Sequence, residues 1–481
     1  MNCVPSNFWA RLAAISIALL VLVETPVSSA ELQARTNYLL LDERVIDRTE
    51  NVQLRVGKIT KHPANPLFKE DKPWEVRFDN VYANVLYDEE LKLYRCWYSP
   101  FIFDELTMGT PAQKRADVKY RATPTREMGV CYAVSQDGIR WEKPVLGVVE
   151  FNGSTSNNLV LRSSHGAGVM KDLQERDPTR RYKLFGGQQI PGLQRRFQVA
   201  FSADGIHWTT PVVCPEVGVE GDTHNNAIWA TDLNKYVGIT RLFSGQRLVM
   251  RTESCDFTHW TKAAEILRGN LEQQTYAMPV FRYADVYLGL VMILNTRTDR
   301  VHCELSWSPD TVQWHRVDPG HALIPNSDTP RDYDWGCVYA GATPSIRDDE
   351  IRIYYGASND AHGTWRDGFL ALATLRPDRF AGLEAEDQAG SILTKPLKLE
   401  GSQLQVNVDA RQGQLVVEVL DADGQPFPGF SLAEASRHER VDELRFQPRW
   451  QHHSDLSALR GKIARLKFHL HRAKLYSFRI Q

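Results

Sequence analysis

SQDGIRW (135–141), SADGIHW (202–208), SCDFTHW (254–260) and SPDTVQW (308–314) share one pattern, Ser-x-Asp with Trp four residues after the Asp. The copies begin 52 to 67 residues apart, a period that marks a repeated supersecondary unit. Ser and Asp side chains accept backbone N–H bonds, and Gly after the Asp permits a tight turn. The phrase therefore predicts a turn at a strand end, with the Trp expected to cover the outer edge of a sheet that would otherwise invite pairing.

Working outward, the intervening segments are strand-length, apolar or alternating, and rich in Val, Ile, Tyr and Trp: KLYRCWYS (92–99), KYVGITRLF (235–243), RLVMRTES (247–254), YLGLVMILN (287–295). Turn residues bound them, and helical periodicity is nearly absent from 50 to 480. The fold class predicted is all-β. Each unit reads as an inner strand, a second strand and a third running into Ser-x-Asp, and sheets repeated radially form a β-propeller. Five blades are expected: Phe78–Pro144, Asn157–Pro211, Val213–Ala263, Ile266–Pro319 and Ala322–Glu384. The last carries LRPDRF (375–380), with Asp378 in the Asp position and no matching Trp. Glu31–Trp74 is expected to pack on the blades or help close them. After 384 the repeat stops, and alternating strands such as LQVNVDA and QLVVEVLDADG predict a C-terminal β-sandwich over 385–481.

Composition narrows the function. The 481-residue chain balances 57 Lys and Arg against 59 Asp and Glu and contains 12 Trp. No segment supplies the basic excess that nucleic acid requires. Residues 1–30 place Arg11 ahead of an apolar run, Leu12–Val23, and end in Ser-Ser-Ala; this is the pattern of a cleaved secretory signal peptide. A secreted or periplasmic protein is expected, with no membrane span after cleavage, since the run falls short of the ~20 residues a span needs. Six cysteines would remain, open to oxidation in an exported protein, but widely spaced and without Cys-x-x-Cys, so a zinc site is not expected and most of them read as small buried hydrophobes. No phosphate loop, Gly-x-Ser-x-Gly elbow or His-Glu-x-x-His helix occurs.

The chemistry is expected where the innermost strands begin, around an axial pocket. The five stretches are RFDNVYAN (77–84), SSHGAGVMKD (163–172), EGDTHNN (220–226), LEQQTYAMP (271–279) and RDYDWGCVYAG (331–341). Each alone would pass for a solvated loop. Together they bring acids, amides, His and aromatics, a mixture suited to a sugar: polar side chains bond vicinal hydroxyls and aromatic rings stack on the apolar ring face. Arg77, Asn80, His165, Asn225, Gln274, Tyr276, Asp334, Trp335 and Arg366 are the candidate substrate-binding residues. Asp79, Asp222 and His224 are the candidate catalytic ones. An anionic sugar would give Arg77, Arg331 and Arg366 a purpose through bidentate contacts.

The repeated turns, DNVYANVLYDEELKLYRCWY (79–98) and the C-terminal β region resemble the five-bladed β-propeller glycoside hydrolases, the superfamily of invertases, fructanases, arabinanases and β-xylosidases. The resemblance implies a hydrolase of oligo- or polysaccharides without a cofactor; the narrow pocket of five blades points to exo-action, and a structural axial metal ion between His165 and His224 is an option. The resemblance also implies three carboxylates. Asp79 matches the nucleophile or base, and Asp222 or Glu220 is nearest to the general acid, with His224 as an alternative acid. The second blade departs from the pattern, since it shows His165 where the middle carboxylate is expected. Two other readings stay open: a sialidase- or lyase-like enzyme on an anionic glycan, and a carbohydrate-binding propeller without catalysis.

Overall fold

The computed structural model describes residue 35, residues 37–191 and residues 193–481; the signal-peptide segment lies outside them. Nearly all ordered structure is β, the longest α-helix being Glu105–Gly109. Among the described residues, no helix is long and apolar enough to cross a membrane.

Five antiparallel groups of strands, the first to fifth sheets, follow one another along the chain, the last two joined into one eleven-stranded sheet by the parallel pair Val301–Cys337. The first pairs Asn84–Asp88, Leu93–Tyr98, Val130–Ser135 and Leu159–Leu161 in sequence order. The second takes Ser164–Lys171, Tyr182–Gln188, Arg196–Ser202 and Val212–Val213, and the third Asn226–Ala230, Lys235–Phe243, Arg247–Ser254 and Ala264–Arg268. Gln273–Ala277 and Val280–Tyr283 share the innermost place of the fourth, before Val286–Asn295, Arg300–Ser308 and His315–Val317. The fifth runs from Cys337–Ala340 through Ile351–Ser358 to Gly368–Leu375, and its outer strand comes from the other end of the chain: Thr60–Lys61 and Phe68–Lys69.

Each unit thus has four strands, not three. The sequence boundaries at Asn157, Val213 and Ile266 fell inside or beside the outer strand of the preceding sheet. These outer strands are two to five residues long, too short for alternation to register.

The repeated turns do more than cap an edge. In every copy the Ser hydroxyl accepts the N–H of the residue after the Asp, from Gly138, Gly205, Phe257 and Thr311, at 2.8–2.9 Å. The Asp Oδ1 accepts the next two N–H groups at 2.8 Å. The residue after the Asp adopts a left-handed φ of +65° to +76°, easy for Gly but strained for Phe257 and Thr311. That residue sits against the preceding sheet. Tyr354 Oη donates to Gly138 O (2.9 Å), Trp97 Nε1 to Gly205 O (2.6 Å), and Arg251 Nε to Thr311 Oγ1 (2.9 Å). Phe257 instead fills the space itself, buried against Phe185 and Phe201. The turn is a wedge between neighbouring sheets, and Trp260, expected at an open edge, is buried between Phe185 and Phe257.

Inner strands touch in the same order. Asn84 Nδ2 donates to Ala167 O (2.8 Å) and Asn225 N to Gly166 O (2.9 Å). Val280 N donates to Asn226 Oδ1 (2.9 Å) and Ala342 N reaches back to Ala83 O (3.0 Å), while the fifth inner strand meets the fourth sheet at Val301 on Arg300–Ser308, which pairs with Cys337. The fifth sheet therefore contacts the first.

Phe101–Asp104 and Arg126–Met128 pair as a two-stranded sheet inserted in the first unit, Ser345–Ile346 pairs with Ile351–Ser358, and the other strands form one ten-stranded sheet. Leu404–Leu420 changes partner midway, its first half pairing with Ala473–Ile480 and its second with Ile463–His471, so the sheet curls over its own apolar core. Tyr38–Leu39, Ile46–Glu50 and Gln53–Val56 pair into this sheet. The sequence boundaries had placed that segment with the five repeats. Asp378 joins the two parts: it accepts from Asn37 Nδ2 (2.8 Å), Tyr283 Oη (2.6 Å), Ser477 Oγ (2.8 Å) and Arg479 Nη2 (3.1 Å). The degenerate fifth turn thus keeps its grip on the preceding sheet through Tyr283. Cys96, Cys131, Cys214, Cys303 and Cys337 are buried thiols.

Candidate functional site

The polar stretches ahead of the inner strands meet around Tyr82. Val81 (φ +63°) and Tyr82 (φ +46°) form a left-handed kink just before Asn84–Asp88. For a β-branched residue such a φ is a genuine outlier, the kind of stored strain that clusters at working sites. The kink turns Asp79 and Asn80 toward the fifth sheet and Tyr82 toward the second and third, where its ring lies 5.9 Å from His165 and 5.4 Å from His224.

Asp79 is clamped. Arg366 Nη2 lies 2.6 Å from its Oδ1 and Arg77 Nη2 3.5 Å away. Burial alone would raise this carboxyl; Arg366 first, then Arg77 and His362, outweigh it and bring the pKa down to about 2. Arg366 is held by His362 O (2.8 Å) and Asn80 Oδ1 (2.8 Å). The Arg77 guanidinium lies 3.6 Å from the Tyr120 ring centroid, with Trp365 beyond it at 6.0 Å. Trp365 Nε1 donates to Val118 O (2.5 Å), so the insertion between the second and third strands of the first sheet meets the loop before Gly368 over Asp79.

Asp222 is clamped harder. His165 Nε2 (2.9 Å) and Arg195 Nη1 (2.7 Å) reach its Oδ1, and Arg241 Nη2 (2.8 Å) its Oδ2. Desolvation would raise its pKa, but Arg241, His165 and Arg195 hold it well below the usual carboxylate range. It is therefore an anion at any pH of interest. The general-acid role expected of Asp222 conflicts with this environment, because a donor must hold a proton. His224 is 1% exposed, and burial brings its pKa down to about 4; Asn84 Oδ1 lies 3.3 Å from its Nε2. A neutral buried imidazole is no proton donor near pH 7 either.

The phenol of Tyr82 keeps its proton. Burial pushes Tyr82 well above its usual range, reinforced by Tyr276, Asp222 and Asp79, and Asn80 Nδ2 donates to its oxygen (2.6 Å) and to that of Tyr276 (3.2 Å). His362 links the second phenol to an acid, its Nε2 being 3.2 Å from Tyr276 Oη and its Nδ1 3.4 Å from Asp299 Oδ1. Burial, helped by Arg366, lowers the His362 pKa against the pull of Asp299.

Of the expected binding residues, Arg77, Asn80, His165, Tyr276 and Arg366 converge here. Gln274 lies next to them, accepting from Arg247 Nη1 (2.9 Å), whose guanidinium covers the Tyr276 ring at 5.0 Å. Asn225 is saturated by protein: its Nδ2 donates to Gly166 O, Gly221 O and Thr223 O, and its Oδ1 accepts from Thr240 Oγ1. It positions the loop and has nothing left for a ligand. Asp334 is wholly buried against Lys61 (2.6 Å) and Tyr355 Oη (3.0 Å), behind the fifth sheet. Trp335 covers Arg300 at 4.6 Å, and Arg331 pairs with Asp360 at the exposed surface.

Arg195, Arg241, Arg247, Asp299 and Tyr120 went unread. Arg241 sits on the second strand of the third sheet and Arg195 ahead of the third strand of the second, away from the inner-strand starts. The available signal was a lone charge inside the apolar KYVGITRLF. Among the described residues, no cluster of three His, Cys, Asp or Glu is spaced to hold a metal ion. A cavity of about 940 Å³ opens beside Asp222 between the second and third sheets, lined by Arg195, Arg196, Phe197, Glu220, Arg241 and Phe243.

No family model and no curated protein sequence matches the chain. Solved structures do. One is described by its report that the GH130 family of mannoside phosphorylases contains glycoside hydrolases targeting β-1,2 mannosidic linkages in Candida mannan. It is 13% identical, with a TM-score of 0.46, over 67% of this chain and 95% of its own. A glycosyl hydrolase from Bacteroides ovatus is 13% identical, with a TM-score of 0.46, over 68% and 95%. An N-acetylgalactosamine deacetylase from F. plautii, in complex with blood group B trisaccharide, is 14% identical, with a TM-score of 0.43, over 69% and 97%. The structures this chain is similar to thus include glycoside hydrolases. Likenesses at these TM-scores carry no argument about chemistry.

Proposed function

We propose that the chain is an exported carbohydrate-active enzyme that cleaves glycosidic bonds, built as a closed five-bladed propeller with a β-sandwich behind it. The observation that supports this best is Asp79: a partly exposed carboxylate, held ionised by Arg366 and Arg77, at the meeting point of amides, phenols and arginines. Such a group stabilises an oxocarbenium-like transition state or attacks it, as glycoside hydrolysis requires. Asp222 orders Arg195, Arg241 and His165 rather than donating a proton. Proton transfer falls to the phenol of Tyr276, tied through His362 to Asp299.

That chain of groups also favours a second reading, β-elimination from a uronate. There Tyr276 would take or give the proton and an arginine would neutralise the sugar carboxylate. A panel of neutral and acidic glycans, digested in ¹⁸O-labelled water, separates the two. Hydrolysis places the label in the product, whereas elimination gives an unlabelled, ultraviolet-absorbing unsaturated end. Absence of any cleavage across the panel would sink both.

A further inference from the structure

The cavity beside Asp222 has a charge pattern that its own residues do not neutralise. Arg195 and Arg241 point into it and Arg196 stands on its rim, against Asp222 and Glu220. Asp222 already spends both oxygens on Arg195, Arg241 and His165. Elsewhere in the mouth the excess repeats. Arg77 is 4% exposed yet its Nε and Nη1 have no partner, and Nε of both Arg247 and Arg366 is likewise unmet. Burial accordingly lowers the Arg77 pKa, Asp79 opposing it only in part. A buried cation without full compensation is costly, and the whole chain is net negative, at −2, so this cationic local balance is a property of the site. Size fits too, since about 940 Å³ lies within the ~300–1,000 Å³ of ligand sites. Phe243, 62% exposed, offers a bare ring at the edge, and Arg247 lies 5.9 Å from it. An exposed aromatic beside guanidinium groups is how a protein holds a sugar that carries a negative charge, ring on ring and anion on fork.

We propose that this cavity is a subsite for an acidic sugar residue, with Arg195 and Arg196 on its carboxylate or sulfate and Phe243 under its ring. Arg241 is the positioning residue that keeps Asp222 and Arg195 in place. The proposal rests on the glycan-acting reading above and names the substrate class within it.

The test is calorimetric binding of tetragalacturonate, a sulfated galactan tetrasaccharide and neutral xylotetraose to the mature protein, to Arg195→Gln, Arg196→Gln and Phe243→Ala, with melting curves as the folding control. Acidic ligands should bind at least tenfold tighter than xylotetraose and weaken as salt rises. Arg195→Gln and Phe243→Ala should each lose about tenfold, and Arg196→Gln, on the exposed rim, about threefold. Whichever acidic arm binds identifies the anion. Equal binding of xylotetraose, or acidic binding that all three folded variants retain, would overturn the subsite. Cleavage of a neutral glycan without acidic binding would overturn it while leaving the enzyme reading intact. Acidic binding that needs Arg195, in a protein that cleaves nothing, would do the reverse.

Discussion

The outer rim and the inner mouth of the five sheets follow opposite rules. At the rim, four turns repeat the same hydrogen bonds to within 0.1 Å, and what varies is only how the space against the preceding sheet is filled: by Tyr354 or Trp97 from that sheet, by Phe257 from the turn itself, or by the Arg251–Thr311 bond. At the mouth, the five equivalent positions carry five different sets of side chains, and the contacts that matter cross between them. Repetition serves packing, because each turn solves the same problem of joining a sheet to its neighbour. The mouth has no shared packing problem of that kind, and there the repeat is abandoned.

The fifth turn is the exception that tests this contrast most strongly. Asp378 there is buried, with five hydrogen bonds tying the fourth sheet, the N-terminal segment and the C-terminal strands. Removing a buried, fully paired carboxylate costs about 3–5 kcal/mol, so Asp378→Ala should show the largest loss in urea unfolding, with the two parts melting separately. A loss under about 1 kcal/mol would mean that the junction is held elsewhere.

The mouth should fail in acid before the rim does. His224 is neutral in the fold with a pKa of about 4, but titrates near 6.5 when unfolded. The unfolded chain therefore takes up the proton first. Stability is complete above about pH 6.5 and falls as the pH drops toward 4, by about 3 kcal/mol over that window. His165, lowered by burial and Arg195, acts in the same direction. Unfolding of wild type and His224→Gln at pH 7.5, 5.5 and 4.5 checks this, and the variant should lose less across that series. Parallel pH profiles would remove His224 as the cause.

Single rim turns should cost least and cost alike. Asp256→Ala deletes an acceptor of two backbone N–H bonds and is expected to cost about 1 kcal/mol, as is Asp137→Ala at its own turn. Thr311→Gly should be nearly neutral, since relief of the left-handed φ offsets the lost bond from Arg251. A spread of several kcal/mol among these variants would contradict the equivalence of the turns.

The contrast also explains what could be read in advance. Ser202, Asp204 and Trp208 act on their own neighbouring backbone, and local bonds leave a local signature; the strands leading into such turns were legible for that reason. The outer strand of the fifth sheet was not, because two two-residue strands at 60–61 and 68–69 pair with residues some 300 positions later. At the mouth, Asp79, Arg77 and Tyr276 were visible as residue types ahead of apolar strands. Their meaning was not, because Arg366 reaches Asp79 across 287 positions and the Asp222 clamp draws on a loop and a second strand. Protonation states follow from such non-local partners, and the proton donor expected of Asp222 is at odds with the clamp that Arg241, His165 and Arg195 place on it.

The most direct test of the account is turnover and binding measured side by side for wild type and Asp79→Asn, on whichever oligosaccharide the wild type cleaves. The change is nearly isosteric and leaves Arg366 and Arg77 in place. Binding should stay within a fewfold of wild type while turnover falls by about a thousandfold or more. Turnover within tenfold of wild type would contradict this, and the catalytic carboxylate would then have to be sought elsewhere on the mouth.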